Sequence, residues 1–346
     1  MRKQPTIRDV ASAAGVSVAV VSRVINEGTG PVAAKTRDKV METIEELGFR
    51  PRAAARSLVS GTTTIGLIVT DLENPFFARL ADRVVWEARG AGLQVQLMTT
   101  QEDAQLEREI LDRLQDRSVA GIIATPTGAN VDKWHRLLDL GVPITFVDRA
   151  IRDLPIDVVR IENVTSSQEA TDHLLDLGHE RIALISGPST TTTGAERVDG
   201  YRRALEARAI AYRSELVHSV RFRGDAGADA VGSLLDLREP PTALIVANTA
   251  QVRNALRRLA QTRIAIPEDL SVVVFDDNPW TELVSPPLSV VRPPTSMLAV
   301  HALELVSARL RGRVTDEPRT ISVPAEFVAR SSTVTITPNP WRAPHS

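Results

Sequence analysis

The chain has 346 residues, 43% apolar and 24% charged, ordinary values for globular protein and enough for roughly two domains of about 150 residues. It holds no cysteine, which excludes a disulfide framework, a cysteine-held zinc or iron–sulfur centre and a thiol nucleophile, and no apolar run nears the ~18 residues that span a bilayer. The net charge of −2 is unevenly spread: residues 1–60 carry ten Lys and Arg against six Asp and Glu, a balance of +4 that leaves −6 for the rest, so a polyanion partner is expected for the head alone.

The first elements in chain order are short helices. Thr6-Ile-Arg-Asp9 reads as a capping-box start, with Ile7, Val10, Ala11 and Ala14 following at helical spacing. Gly15 ends that helix, and Ser17 caps a second over about 17–26 with Val21, Val24 and Ile25 on one face. Residues 26–31 are a loop by composition, and a third helix is expected at about 33–47, with Val40, Ile44 and Leu47 inward and Gly48 closing it. Together these make a small all-α unit.

From residue 61 the rhythm changes. Apolar strands are expected at 65–69, 95–98, 121–124, 144–147, 158–161, 182–186, 243–247, 272–275 and 289–291, most of them separated by helical-period segments such as 77–89 and 107–114. Strand–helix alternation with doubly apolar strands argues parallel α/β sheets, and about 270 residues of it suit two sheets better than one. The tail from about Pro338 is Pro-rich and expected to fray.

In Ala11-Ser-Ala-Ala-Gly-Val-Ser17 the small residues let two helices cross closely at a glycine turn. The second helix then offers Val18, Ala19 and Ser22, with Arg23 one turn on, the geometry by which a recognition helix enters a major groove. Any helical hairpin with a glycine turn shares that much. The longer pattern is more specific. Thr6-Ile-Arg-Asp-Val-Ala-Ser-Ala-Ala-Gly-Val-Ser17 followed by Val21-Ser-Arg-Val-Ile-Asn26 resembles the DNA-binding headpiece of the LacI/GalR repressor family. So do Glu45-Glu-Leu-Gly-Phe-Arg-Pro51, Ala54-Ala-Arg-Ser-Leu58, Thr64-Ile-Gly-Leu-Ile-Val69 and Asn74-Pro-Phe-Phe77. Further along the same holds for Leu177-Gly-His-Glu-Arg-Ile182, Glu196-Arg-Val-Asp-Gly-Tyr201, Ile266-Pro-Glu-Asp-Leu-Ser-Val272, Phe275-Asp-Asp277 and Pro286-Pro-Leu-Ser-Val-Val291. The resemblance spans about 6–331, in order.

It implies an α/β protein with an N-terminal three-helix helix-turn-helix headpiece (1–50), a hinge helix and linker (51–61), and a periplasmic-binding-protein-like core of two α/β subdomains (62–331), with a tail at 332–346. Subdomain 1 would take about 62–161 and 292–323, and subdomain 2 about 162–291 and 324–331, the chain crossing near 161–164, 291–294 and 323–325. The residues matching DNA-contacting positions are Thr6, Ser17, Val18, Ala19, Val20, Ser22, Arg23, Asn26, Ala55 and Leu58. Leu58 would wedge into a minor-groove base step between paired hinge helices, the alternative being a side chain packed on the core. The residues matching effector positions are Phe76, Phe77, Arg149, Arg197, Phe222, Asn248 and Asp276. Aromatic faces and bidentate polar groups suit a sugar or nucleobase. The alternatives are an ion pair of Arg197 with Glu196 or Asp199, a strand-end cap for Asp276, and a core place for Phe76 or Phe77. The chain departs from the family at Asn248-Thr249 (usually Asn-Asp), Val20 (usually Thr) and Val59 (usually Lys or another polar residue).

Enzyme motifs are missing: no G-x-x-x-x-G-K-[ST], no G-x-G-x-x-G after a strand, no G-x-S-x-G and no H-E-x-x-H, while the loop 187–194 is rich in Thr but lacks a phosphate-binding Lys. Six scattered His lack zinc spacing, so neither metal nor cofactor is expected. The reading is a non-enzymatic transcriptional repressor, a homodimer on a palindromic double-stranded operator, modulated by a sugar or nucleobase-like effector. With no apolar leader at Met1-Arg-Lys-Gln-Pro5 and no membrane partner, it is expected in the cytoplasm on the nucleoid. The rivals are a transport-type solute-binding protein and an α/β enzyme with an accessory DNA-binding domain.

Overall fold

The structure is a computed structural model that describes residues 7–25, 32–47, 63–115, 119–312 and 317–336. The first three helices are α1 (Ile7–Ala14), α2 (Val18–Ile25) and α3 (Ala34–Leu47). Val10, Ala11, Ala14, Val21, Val24 and Val40 close into a core of their own, with Val16, Val32 and Ile44 packed around it. Gly15 sits at φ +68, a left-handed turn that lets Val16 N donate to Ala11 O at 3.0 Å. Ser17 Oγ accepts from Val20 N at 3.3 Å and so caps α2. The expectation for Leu47 fails: it is 39% exposed. Val40, Thr43 and Ile44 complete the inward stripe instead, Thr43 burying its methyl while its hydroxyl bonds Lys39 O at 2.8 Å.

A parallel sheet follows, built from β1 (Thr63–Val69), β2 (Leu93–Thr99), β3 (Ile122–Ala124), β4 (Ile144–Val147), β5 (Asp157–Ile161) and β11 (Thr320–Val323) in the order β11-β5-β4-β3-β1-β2. Its helices are α4 (Pro75–Gly90), α5 (Ala104–Leu114), α6 (Val131–Asp139) and α11 (Thr295–Leu310). The second sheet holds β6 (Ile182–Ser186), β7 (Val217–Ser219), β8 (Ala243–Val246), β9 (Ser271–Phe275), β10 (Ser289–Arg292) and β12 (Glu326–Val328) in the order β12-β10-β9-β8-β6-β7, parallel except that β12 runs antiparallel to β10. Around it lie α7 (Asn163–Asp176), α8 (Thr192–Ala207), α9 (Ala226–Leu235) and α10 (Thr249–Ala260). The chain passes from the first sheet to the second after β5, returns after β10, and passes over again between β11 and β12.

Each sheet is covered on both faces. Phe77, Leu80 and Val84 of α4 meet Leu298, Ala302 and Leu305 of α11 on one face of the first sheet, while Leu111 and Trp134 pack on the other. In both sheets the strand order reverses beside the first strand, between β1 and β3 and between β6 and β8. Open α/β sheets bind ligands outside the carboxyl ends of the strands at such switch points.

Helix α8 begins at Thr192 under an N-cap Thr191, so the Thr-rich loop expected at 187–194 gives its last three residues to the helix. Gly200 on α8 lies against α7. A Cβ there would stand 2.1 Å from Val164 O and 2.9 Å from Ser167 Cβ. Backbone cannot yield as a side-chain tip does, so Gly200→Ala is expected to cost about 1–3 kcal/mol of stability through overpacking. Thermal melting measures it; an unchanged midpoint would mean that the two helices part freely.

Candidate functional site

The strands of both sheets end at one cleft. After β1, Asn74 caps α4, its side chain accepting from Phe76 N at 3.0 Å, with Pro75 in the first turn where a missing N–H costs nothing. That start brings Phe76 and Phe77 to the cleft edge, where both are buried with rings edge-on at 5.0 Å. After β4 come Asp148 and Arg149; after β9 comes Asp276. Both aspartates adopt left-handed backbone, φ 69 and φ 72, and each donates its N–H to the adjacent strand, Asp148 to Val159 O and Asp276 to Val291 O, both at 2.9 Å. Asn248, after β8, caps α10 by accepting from Ala250 N at 2.9 Å.

Arg149 is 3% exposed and forks onto Glu102, with Nη1 and Nη2 each 2.8 Å from a carboxylate oxygen. Its guanidinium carbon lies 4.1 Å from the Phe222 ring centroid, so a side chain from the first sheet stacks on one from the second. The edge of that ring fits against residue 187 because it is glycine: a Cβ would stand 2.4 Å from Phe222 Cζ. Arg149 Nε is buried without a hydrogen-bond partner among the described residues, its nearest acid being Asp148 at 3.7 Å.

Arg197, on α8, donates from Nε to Asn163 Oδ1 at 3.0 Å and from Nη1 to Ala247 O, and stacks over Phe275 with 4.3 Å to the centroid. Its neighbours pair elsewhere, Glu196 with Arg160 at 2.5 Å and Asp199 with Arg203 at 2.7 Å. Burial lowers the Arg197 pKa, with Asp148 and Asp276 opposing. Burial also pushes Asp148 up to about 6, against the pull of Arg149 and Arg197 and with Asp276 and Glu102 adding to the rise. The cleft therefore holds two guanidinium groups and two carboxylates in little water, an array that can bind hydroxyls from both sides. Among the described residues no group of His, Cys, Asp or Glu is placed to hold a metal ion, and no helix is long and apolar enough to cross a membrane.

Phe76, Phe77, Arg149, Arg197, Phe222, Asn248 and Asp276 thus border one cleft. Residues 6–52 match the family described as bacterial regulatory proteins of the lacI type, and residues 171–333 match a periplasmic binding protein-like domain. The transcriptional regulator DegA of Bacillus subtilis is 34% identical over 95% of this chain and 98% of its own length. The chain belongs to the LacI family. The repressor PurR of Vibrio atlanticus is 31% identical over 96% of this chain and 99% of its own. The solved complex of the regulator CelR with cellobiose superposes with a TM-score of 0.73 at 30% identity, covering 95% of this chain and 99% of that one.

As a LacI-family protein the chain is a DNA-binding transcriptional regulator. Of its expected DNA-contacting residues, Thr6, Asn26, Ala55 and Leu58 lie outside the described residues, as do the hinge helix, Val59 and the tail beyond residue 336, and the Ser22 side chain is likewise not described. Ser17, Val18 and Ala19 are exposed at the start of α2 and Arg23 in its last turn, while Val20 is half-buried and Val21 is buried. The outward row is therefore Val18, Ala19 and Arg23. The cleft also holds Asn74, Asp148 and Thr193, which reading the residues singly passed over. Asp148 had a signal: Val147-Asp148-Arg149 ends its strand as Phe275-Asp276-Asp277 ends another.

Proposed function

We propose that this regulator is a repressor that holds a palindromic operator as a homodimer and changes its operator affinity when a sugar or nucleobase-like effector enters the cleft. The observation that carries the effector half is the meeting of aromatic, amide and ionic side chains from two sheets at their switch points. Phe76, Phe77 and Phe222 would supply apolar faces; Arg149, Arg197, Asn248 and Asp276 would take polar edges. A relative solved with cellobiose bound favours a saccharide. The DNA half rests on the start of α2, with Thr6, Ser17, Val18, Ala19, Val20, Ser22, Arg23, Asn26, Ala55 and Leu58 as the proposed contacts. The units of function are a headpiece at 1–50, a hinge at 51–61, the two-subdomain core at 62–331 and a tail at 332–346. Since the relatives are regulators matched over nearly their whole length, the cleft is read as binding without turnover, in a protein of the cytoplasm working on the nucleoid.

Operator binding by the full chain, followed by fluorescence anisotropy during titration with sugars and nucleobases, tests this reading. A shift in operator affinity with no product formed supports it; operator binding indifferent to every compound overturns the effector half. In the hinge, Leu58→Ala is expected to weaken operator binding by about 1–3 kcal/mol, the scale of one lost base-pair contact, with melting unchanged. Intact operator binding with a lowered melting temperature would instead make Leu58 a core residue.

A further inference from the structure

We propose that Glu102 is a positioning residue of the effector site: from a turn behind the cleft it holds Arg149 on the Phe222 ring of the second sheet and so shapes the wall that an effector meets. This rests on the reading of the cleft as the effector site. Strand β2 ends at Thr99, Asp103 caps α5, and the turn between them closes with Asp103 N donating to Thr100 O at 2.8 Å. Its two central residues are Gln101 at φ 52 and Glu102 at φ 59. Consecutive left-handed residues suit glycine and asparagine, and a longer side chain there strains the backbone. The chain nevertheless places Gln and Glu in the turn, and each grips an arginine at the junction with the second sheet.

The two grips differ in strength. Gln101 accepts from Arg223 Nη1 through its backbone O at 3.1 Å and its Oε1 at 3.3 Å, but both side chains stand in solvent, where such contacts contribute little. Glu102 faces a guanidinium that is buried, and both of its carboxylate oxygens accept from it at 2.8 Å. A cation stripped of water on an aromatic face needs its counter-charge. Burial works against the Arg149 charge, yet the hydrogen bonds and charge of Glu102 outweigh it, with Asp148 and Glu107 adding, and the pKa stands above the ordinary arginine value. Neither of those two acids can take over the bond. Asp148 is 3.7 Å from Nε, and Glu107 already accepts from Thr127 N and Asn130 Nδ2, each at 2.8 Å. Without the Glu102 carboxylate, Arg149 is a buried charge with no hydrogen-bonded partner, and the side chain gains by leaving Phe222 for water. The cleft lining holds Arg149 and Phe222 and not Glu102, so the influence of Glu102 runs through Arg149.

Labelling of the full chain with phenylglyoxal, which attacks guanidinium groups as they come free, tests this without any ligand when the labelled arginines are located by mass spectrometry. Glu102→Ala is expected to speed labelling of Arg149 by about tenfold or more, the scale of lost charge-assisted hydrogen bonds, with Glu102→Gln between it and the parent. Arg309 and Arg330, each forked onto an aspartate elsewhere, should label as in the parent. Glu102→Gly removes the carboxylate and relieves the turn as well, so it should release Arg149 equally yet melt about 2–4 °C above Glu102→Ala. Calorimetry with ribose, cellobiose and adenine reads the consequence: whichever binds the parent should bind Glu102→Ala about tenfold more weakly. Arg149 labelled at the parent's rate, or faster only in step with Arg309 and Arg330, overturns the proposal, as does unchanged ligand affinity once Arg149 is free. If none of the three compounds binds the parent or shifts its operator affinity, the effector reading fails, while the Arg149 rates still decide whether Glu102 holds it.

Discussion

Arg197→Ala is expected to abolish the effector response while leaving operator binding without effector intact. The side chain is 8% exposed, lines the cleft and is held in place by Asn163, Ala247 O and the Phe275 face. A charged donor in so dry a place contributes about 2–3 kcal/mol per hydrogen bond to a ligand, a loss of roughly 30- to 150-fold in affinity. The variant has a second effect. Arg197 is one of the two cations that restrain Asp148, so its loss should drive the Asp148 pKa above its present value of about 6 and leave more of that acid neutral at pH 7. Arg197→Lys keeps the charge without the planar fork and should fall between the two. Effector titration by calorimetry, unchanged in Arg197→Ala, would remove this residue from the site.

The second large effect is expected at Asp277. Its carboxylate accepts from Arg330 through Nη1 and Nη2 at 3.0 Å each, from Arg292 Nε at 2.8 Å and from Thr281 Oγ1 at 2.7 Å. Burial alone would raise its pKa, but the hydrogen bonds from Arg330, Thr281 and Arg292 bring it down to about 2. A depressed carboxylate stabilises the fold above its unfolded value near pH 4, and that contribution fades as pH falls toward 2. Asp277→Ala leaves two guanidinium groups facing each other and should cost about 3 kcal/mol, or roughly 6–12 °C in melting temperature for a unit of this size. Asp277→Asn keeps two of the contacts and should lose less. Should Asp277→Ala melt within a degree of the parent, Glu282, 2.7 Å from Arg330, and Glu326, 2.9 Å from Arg292, are holding the two cations without it. Asp276 adjoins Asp277 in the chain, so loosening this anchor should weaken effector binding as well.

Much of the fold could be read from the chain because its signals are local. Asn74 followed by proline announces α4, and the glycine turn before Ser17 announces α2. The central strands are apolar on both faces and stand out; β7, β11 and β12 do not. They are three or four residues long, lie at sheet edges and carry half-exposed side chains, so Thr-Ile-Ser-Val at 320–323 looks like any extended segment. Leu47 matched the helical period, but the period does not say where the partner helices stop. In the cleft, residue types and family positions led to seven lining residues. What they could not supply was the pairing. That Arg149 forks onto Glu102, 47 residues away, and that Gly187 exists to clear the Phe222 ring are facts of three-dimensional approach.

Three arginines span the cleft: Arg149 onto Phe222, Arg223 onto Asp71 and Gln101, and Arg79 onto Asn278 Oδ1 at 2.7 Å. For an effector that enters only when these contacts open, the apparent dissociation constant is the intrinsic one divided by the open fraction. The concentration at which the gene responds is then a property of the clasp as much as of the lining. Weakening Arg79 would lower that threshold and strengthening its partner would raise it, with the ligand's own contacts untouched. At Arg79, off the cleft lining, sensitivity can therefore be adjusted apart from chemical selectivity, whereas at Arg149, which both clasps and lines the cleft, the two change together.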